Sequence, residues 1–259
     1  MNDKYFRCNN AVISSALYHE YGPRLEYQNP FKFIFMTHLE EELVQLKSEI
    51  TNMWEMVISQ LRKTREALFN FDNDLAREVV ATEKRINSLE LKIDRDCENI
   101  FALFNPVAVD LRTVLAILKI NNNLERSGDI AEGIAKYIIF AEQPFDQTLL
   151  EKTQILRMYD ETNAILEEGL RAFETEDTRL ARSIFKRDEL VDEINIKANA
   201  VVADFIRSHP DKIEEALYLI SMIRKLERVG DHCKNIAEEI IFNIEAKVLK
   251  HKSKKKKEE

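Results

Sequence analysis

The chain has 259 residues and a formal net charge of −8, from 38 Lys plus Arg set against 46 Asp plus Glu. That balance argues against a general nucleic-acid binder, which would carry a basic face, and fits a chain with a highly charged exterior. Glycine and proline number five each, so turns are few and most of the chain is expected to be helix. Cys8, Cys97 and Cys233 are odd in number and far apart, with no C-x-x-C, which predicts a reduced, cytoplasmic protein. No apolar run approaches the roughly 20 residues needed to span a bilayer. Export is not expected either, since the N-terminus lacks a signal-peptide core.

Residues 1–36 show no sustained period, and Gly22-Pro23 and Asn29-Pro30 punctuate them. They are expected to form a poorly ordered extension, with Met36 a candidate true start. A helix is predicted from 37 to about 70, opened by Thr37 with acids in its first turn. Leu39, Leu43, Leu46, Ile50, Met53, Val57 and Leu61 form its apolar stripe. Asp72-Asn73-Asp74 reads as a cap cluster for a second helix running to about 104. Its inward face is Val79, Ile86, Leu89, Ile93 and Ile100. Asn105-Pro106 is expected to N-cap a third helix that ends near 141, before Pro144.

The second half repeats this plan. Leu180-Ala181-Arg182 echoes Leu75-Ala76-Arg77 at an offset of 105, Pro210 echoes Pro106 at 104, and Glu227 echoes Glu125 at 102. The prediction is an all-α protein of two tandem three-helix bundles born of internal duplication, spanning 37–143 and 144–248. A basic tail, 249–259, is expected to be solvated, with contact to anionic lipid or an acidic partner as the lesser alternative.

The duplicated motifs are Glu125-Arg126-Ser127-Gly128-Asp129 and Glu227-Arg228-Val229-Gly230-Asp231. Glycine in a helix interior costs about 1 kcal/mol, so something other than helix stability selects it. The two acids of each motif lie one turn apart on one face and repel unless a cation or a basic partner offsets them. Folding the second predicted helix back on the third brings Glu83 opposite Gly128, so that Glu83 and Asn87 meet Glu125 and Asp129. The same reflection brings Asp188 and Asp192 beside Glu227 and Asp231. A solvated acidic face is the plain alternative. Two symmetric clusters of facing acids favour all-oxygen sites for hard or borderline cations. The second, with four acids against three and Asn87, is expected to be the stronger. His232, five residues past Glu227, lacks the spacing of a ferritin-type di-iron ligand. Arg126 and Arg228 are candidates to pair with neighbouring acids or to dock a partner. Trp54 is expected to pack in the core or a seam, and Cys97 and Cys233 to be buried.

Three-helix halves, each ending in Glu-Arg-x-Gly-Asp and the second continuing His232-Cys233-Lys234-Asn235-Ile236-Ala237-Glu238, resemble the PhoU family over about residues 37–245. The resemblance implies metal ions, iron or divalent Mn, Mg or Zn, on Glu83, Glu125, Asp129, Asp188, Asp192, Glu227 and Asp231. Asn87 and Gly133 depart from the family pattern, which weakens the first site. The implied function is not enzymatic. It is phosphate homeostasis: a cytoplasmic homodimer that couples the ATPase subunit of a phosphate ABC transporter to inhibition of a sensor histidine kinase. Its membrane association would be peripheral only, with no nucleic acid. The alternative from another class is a metal-carboxylate store or enzyme.

Overall fold

A computed structural model describes residues 37–249. The expected N-terminal extension, Cys8 and the basic tail from residue 250 onward lie outside the described residues. Thr37 caps α1 (His38–Asn70): its hydroxyl accepts the Glu40 N–H at 3.3 Å, and the Glu40 carboxylate accepts the Thr37 N–H at 2.6 Å. This reciprocal pair is a capping box. Every predicted stripe residue of α1 from Leu43 to Leu61 is buried. Phe71 turns the chain through a left-handed conformation (φ 52°), and Asp72 then caps α2 (Asn73–Phe104) by accepting the N–H groups of Asp74 and Leu75 at 3.0 and 2.9 Å.

Asn105 does not N-cap the third helix, as its place before Pro106 suggested. It ends α2 in the left-handed region (φ 46°), which asparagine tolerates better than most residues, and Val107 sits at the N-cap of α3 (Ala108–Phe140) without a side-chain cap bond.

The second half contains α4 (Gln147–Thr153), α5 (Ile155–Thr175), α6 (Thr178–Ser208), a single 3-10 turn (Pro210–Lys212) and α7 (Ile213–Glu245). Its first helix is therefore broken, giving seven α-helices among the described residues where two uniform three-helix halves require six. The break is at Gln154 (φ 57°). Neither glycine nor proline announces it, but the Thr153 hydroxyl bonds back to the carbonyls of Leu149 and Leu150 at 2.7 and 3.2 Å. Asp146 caps α4 and is itself fixed by Lys212 at 2.6 Å. The short helix thus turns Leu149 and Leu150 into the core independently of α5.

α2 and α3 pack antiparallel, as do α6 and α7; α1 closes the first hairpin and α5 the second. The halves join where α3 runs antiparallel to α7: Arg112 meets Asn243, Lys119 meets Glu239, and Tyr137 meets Tyr218. α1 also reaches α5, with the buried Trp54 indole N–H donating to the Leu166 carbonyl at 3.1 Å. The buried residues form one apolar core that draws on both halves.

Candidate functional site

Each motif glycine is where the facing helix delivers a carboxylate. A Cβ on Gly128 would lie 3.0 Å from Glu83 Oε2 and 3.3 Å from Gln60 Oε1 and Ile86 Cδ1; on Gly230 it would overlap Asp188 Oδ1. That close approach is what selects glycine at the expense of helix propensity.

In the first half Glu83 is 3% exposed. Its Oε2 accepts Gln60 Nε2 at 3.0 Å, while Oε1 has no hydrogen-bond partner. Burial lifts its pKa to about 7. The Gln60 hydrogen bond pulls the other way, and the acids Asp129, Glu132 and Glu125 push it further up. Glu125 is also raised, by burial and then by Asp129, and its Oε2 accepts no hydrogen bond. The structure thus brings Glu83, Glu125 and Asp129 together, as expected, but leaves Asn87 exposed on the surface. It adds two members the sequence reading passed over, Gln60 from α1 and Glu132, one turn beyond Gly128. Asp94 extends the stripe and accepts Asn121 Nδ2 at 2.8 Å.

The second cluster gathers Asp188, Asp192, Glu227 and Asp231, and burial raises the first and third of these. It differs in one respect that its acid count hides. Lys234 Nζ stands 2.5 Å from Asp188 Oδ2 and 2.7 Å from Asp231 Oδ1. Burial opposes its charge, yet its pKa is raised, because Asp188 and Asp231 bond to the ammonium. Lys234 occupies the place of Glu132 at the motif offset of 102, and Ile165 that of Gln60 at 105. The first cluster meets a neutral amide at Gln60 and a cation only at longer range, Arg126 at 3.5 and 3.7 Å from Glu125 and Asp129, whereas an ammonium bonds directly across the second. Lys234 thus offsets part of the charge of the second cluster, which its four acids alone do not show. The spacing of Lys234, three residues past Asp231, allows the intrahelical pair, but its reach to Asp188 is a tertiary contact.

As placed, no three His, Cys, Asp or Glu side chains among the described residues lie close enough to share one metal ion. The carboxylate oxygens of Glu83 and Glu125 that accept no hydrogen bond give the first cluster the donor chemistry for a hard cation.

Gly133 has another explanation than a weakened site. A Cβ there would sit 2.8 Å from Lys225 Nζ, reaching over from α7. Its counterpart Asn235 donates across the same seam to Asn123 Oδ1 at 3.2 Å, where His232 Nδ1 also lies 3.1 Å away. The two-fold relation between the halves runs through this seam, and Arg126 and Arg228 stand on either side of it. Arg126 reaches Glu125 and Asp129 of its own helix at 3.5 and 3.7 Å. Arg228 has no ion-pair or hydrogen-bond partner among the described residues. Burial, then Arg228, hold the His232 pKa below its usual value.

These features define a class: an all-α, internally duplicated bundle in which each half pairs a Glu-Arg-x-Gly-Asp helix with a buried acid from the preceding helix. Comparison with known proteins names it. The PhoU domain model matches residues 50–138 and 155–240, so the chain belongs to the PhoU family. The offset between the two matches shrinks from 105 at their starts (50 to 155) to 102 at their ends (138 to 240), the same drift read from the motifs. The chain is 34% identical over 214 residues to the phosphate-specific transport system accessory protein PhoU homolog 1 of Thermotoga maritima, covering 82% of this chain and 91% of that one. It is 31% identical to the phosphate-specific transport system accessory protein PhoU of Escherichia coli, covering 81% and 86%. The crystal structure of PhoU from Pseudomonas aeruginosa superposes with a TM-score of 0.74 at 30% identity, over 81% of this chain and all of that one.

Proposed function

We propose that this protein is a phosphate-responsive regulator. It couples a high-affinity phosphate ABC transporter, through the transporter's ATPase subunit, to inhibition of a sensor histidine kinase, and so restrains phosphate uptake and starvation genes. The observation that supports this is the double PhoU match together with relatives named as phosphate-transport accessory proteins over four fifths of the chain. On this reading it acts in the cytoplasm as a homodimer, by docking rather than catalysis. No helix among the described residues is long and apolar enough to cross a membrane; on this reading attachment is through membrane partners.

Within this reading Glu83, Glu125 and Asp129 would hold a cation once their side chains close in on it, and its charge would relieve the repulsion around the buried Glu83. The cation, iron or a divalent metal, would supply positive charge and fix the α2–α3 face. The second cluster reaches the same end with Lys234. A metal store or carboxylate enzyme stands second, since one of its two carboxylate clusters already holds an ammonium.

A phosphate-responsive reporter in a deletion strain tests the regulation. It is expected to be derepressed in phosphate-rich medium and restored by the intact gene, and a reporter that stays repressed overturns the reading. For the metal, chelator-stripped protein is titrated with Mn²⁺. Glu83→Gln should weaken uptake by at least about tenfold, whereas Asp188→Asn should leave it near that of the parent. The opposite pattern would move the site to the second half.

A further inference from the structure

The seam between α3 and α7 opens into a cleft of about 600 Å³ into which both motif arginines face, with Lys119, Asn123, His232 and Asn235 around them. We propose that this cleft binds a phosphoryl dianion, held between the guanidinium groups of Arg126 and Arg228. The inference goes beyond the regulatory reading and does not depend on it.

Charge carries the first part. The chain as a whole is at −8, yet the cleft gathers Lys119, Arg126 and Arg228 against a single acid, Glu239. Lys119 and Glu239 neutralise each other at 3.0 Å, which leaves two arginines. Neither is fully used within the protein. Arg126 makes only long contacts of 3.5 and 3.7 Å within its own helix, and its side chain is 54% exposed. Arg228 has no polar partner among the described residues. The amides of Asn123 and Asn235 add polar groups around the two forks.

Guanidinium forks match the paired oxygens of carboxylate and phosphate. The choice between these ligands follows from number. A carboxylate offers one charge and one pair of oxygens, enough for a single arginine. A phosphoryl group carries about −1.5 to −2 charges at neutral pH and three acceptor oxygens, which two arginines from opposite walls can share. The cleft lies in the size range of small-ligand sites and is larger than one phosphate, so the dianion can be free inorganic phosphate or the terminal group of a nucleotide.

The test is calorimetric titration of the full chain, kept in EDTA, with inorganic phosphate and with ATP in separate arms. Saturable binding in the phosphate arm identifies the free ion; saturation by ATP alone identifies a nucleotide. Arg126→Ala and Arg228→Ala should each weaken binding about tenfold, and the double variant should abolish it. Both side chains are exposed, so melting temperatures should stay near the parent's and separate lost binding from lost folding. Arg62→Ala, which removes an exposed charge on α1, controls for net charge. The proposal is overturned if neither probe saturates at millimolar concentration. It is equally overturned if Arg62→Ala weakens binding as much as the seam variants do. Either result would leave the arginines to contacts with a protein partner.

Discussion

Glu83 sits in an environment that its residue type disfavours. It is buried beside like charges, and among the described residues its carboxylate accepts a hydrogen bond from Gln60 alone. Its folded pKa of about 7 lies above the free value of 4.5, so between those pH values the folded state keeps a proton that the unfolded state has lost. The contribution of Glu83 to the stability of the metal-free protein therefore falls as pH rises from about 4.5 to 7, by roughly 3 kcal/mol at most. Glu83→Gln removes this dependence while keeping size and a donor. In EDTA the variant is expected to match the parent near pH 5 and to exceed its stability at pH 8. Urea titrations across that range check it, and parallel curves for the two proteins would refute the assignment.

At the scale of the helix pair, the glycines set how closely α2 approaches α3 and α6 approaches α7. Alanine normally gains about 1 kcal/mol over glycine in a helix interior, but overpacking costs about 1–3 kcal/mol. At Gly230 the new methyl overlaps Asp188 Oδ1, and Lys234 holds the same carboxylate in place through Oδ2. Gly230→Ala should therefore lose on the order of 1–2 kcal/mol net. Gly128→Ala meets its neighbours at 3.0–3.3 Å and should lose less, under about 1 kcal/mol. Denaturant midpoints at constant slope measure both. Gly230→Ala as stable as the parent would mean that the buried aspartate does not set the spacing.

The two halves are not independent bodies at the scale of the molecule. The described residues, 37–249, fall within one compact unit. Trp54, the single tryptophan, lies in the first half but donates its N–H to Leu166 and packs against Phe173, both in the second. Unfolding is expected to be one cooperative transition, with Trp54 fluorescence and far-UV helix signal lost together. A fragment of residues 37–143 should show red-shifted tryptophan emission and a tendency to associate, since it uncovers Trp54 and the seam face of α3. Two separated transitions in the full chain would show that the seam contributes little.

How much of this the chain spells out locally follows from the range of each interaction. Helix positions, the apolar stripes and the duplication depend on periodicity and repeat offset, properties of the linear order, and so were readable. The facing of Glu83 with Gly128 and of Asp188 with Gly230 was readable too, because two antiparallel helices of equal rise about a known turn leave a single register. The break at Gln154 was not, since a threonine bonding back to the preceding turn is compatible with a continuous helix until tertiary packing needs Leu149 and Leu150 elsewhere. Nor could an acid count rank the two clusters. Whether Lys234 faces solvent or fills the cluster, and whether Gln60 reaches Glu83 from a third helix, depends on side chains that meet only after the bundle closes. The seam was hidden for the same reason. That Asn235 and Gly133 serve contacts with Asn123 and Lys225, and that both motif arginines share one cleft, follows from how α3 crosses α7. Local propensity does not encode that crossing; burial of a common core decides it.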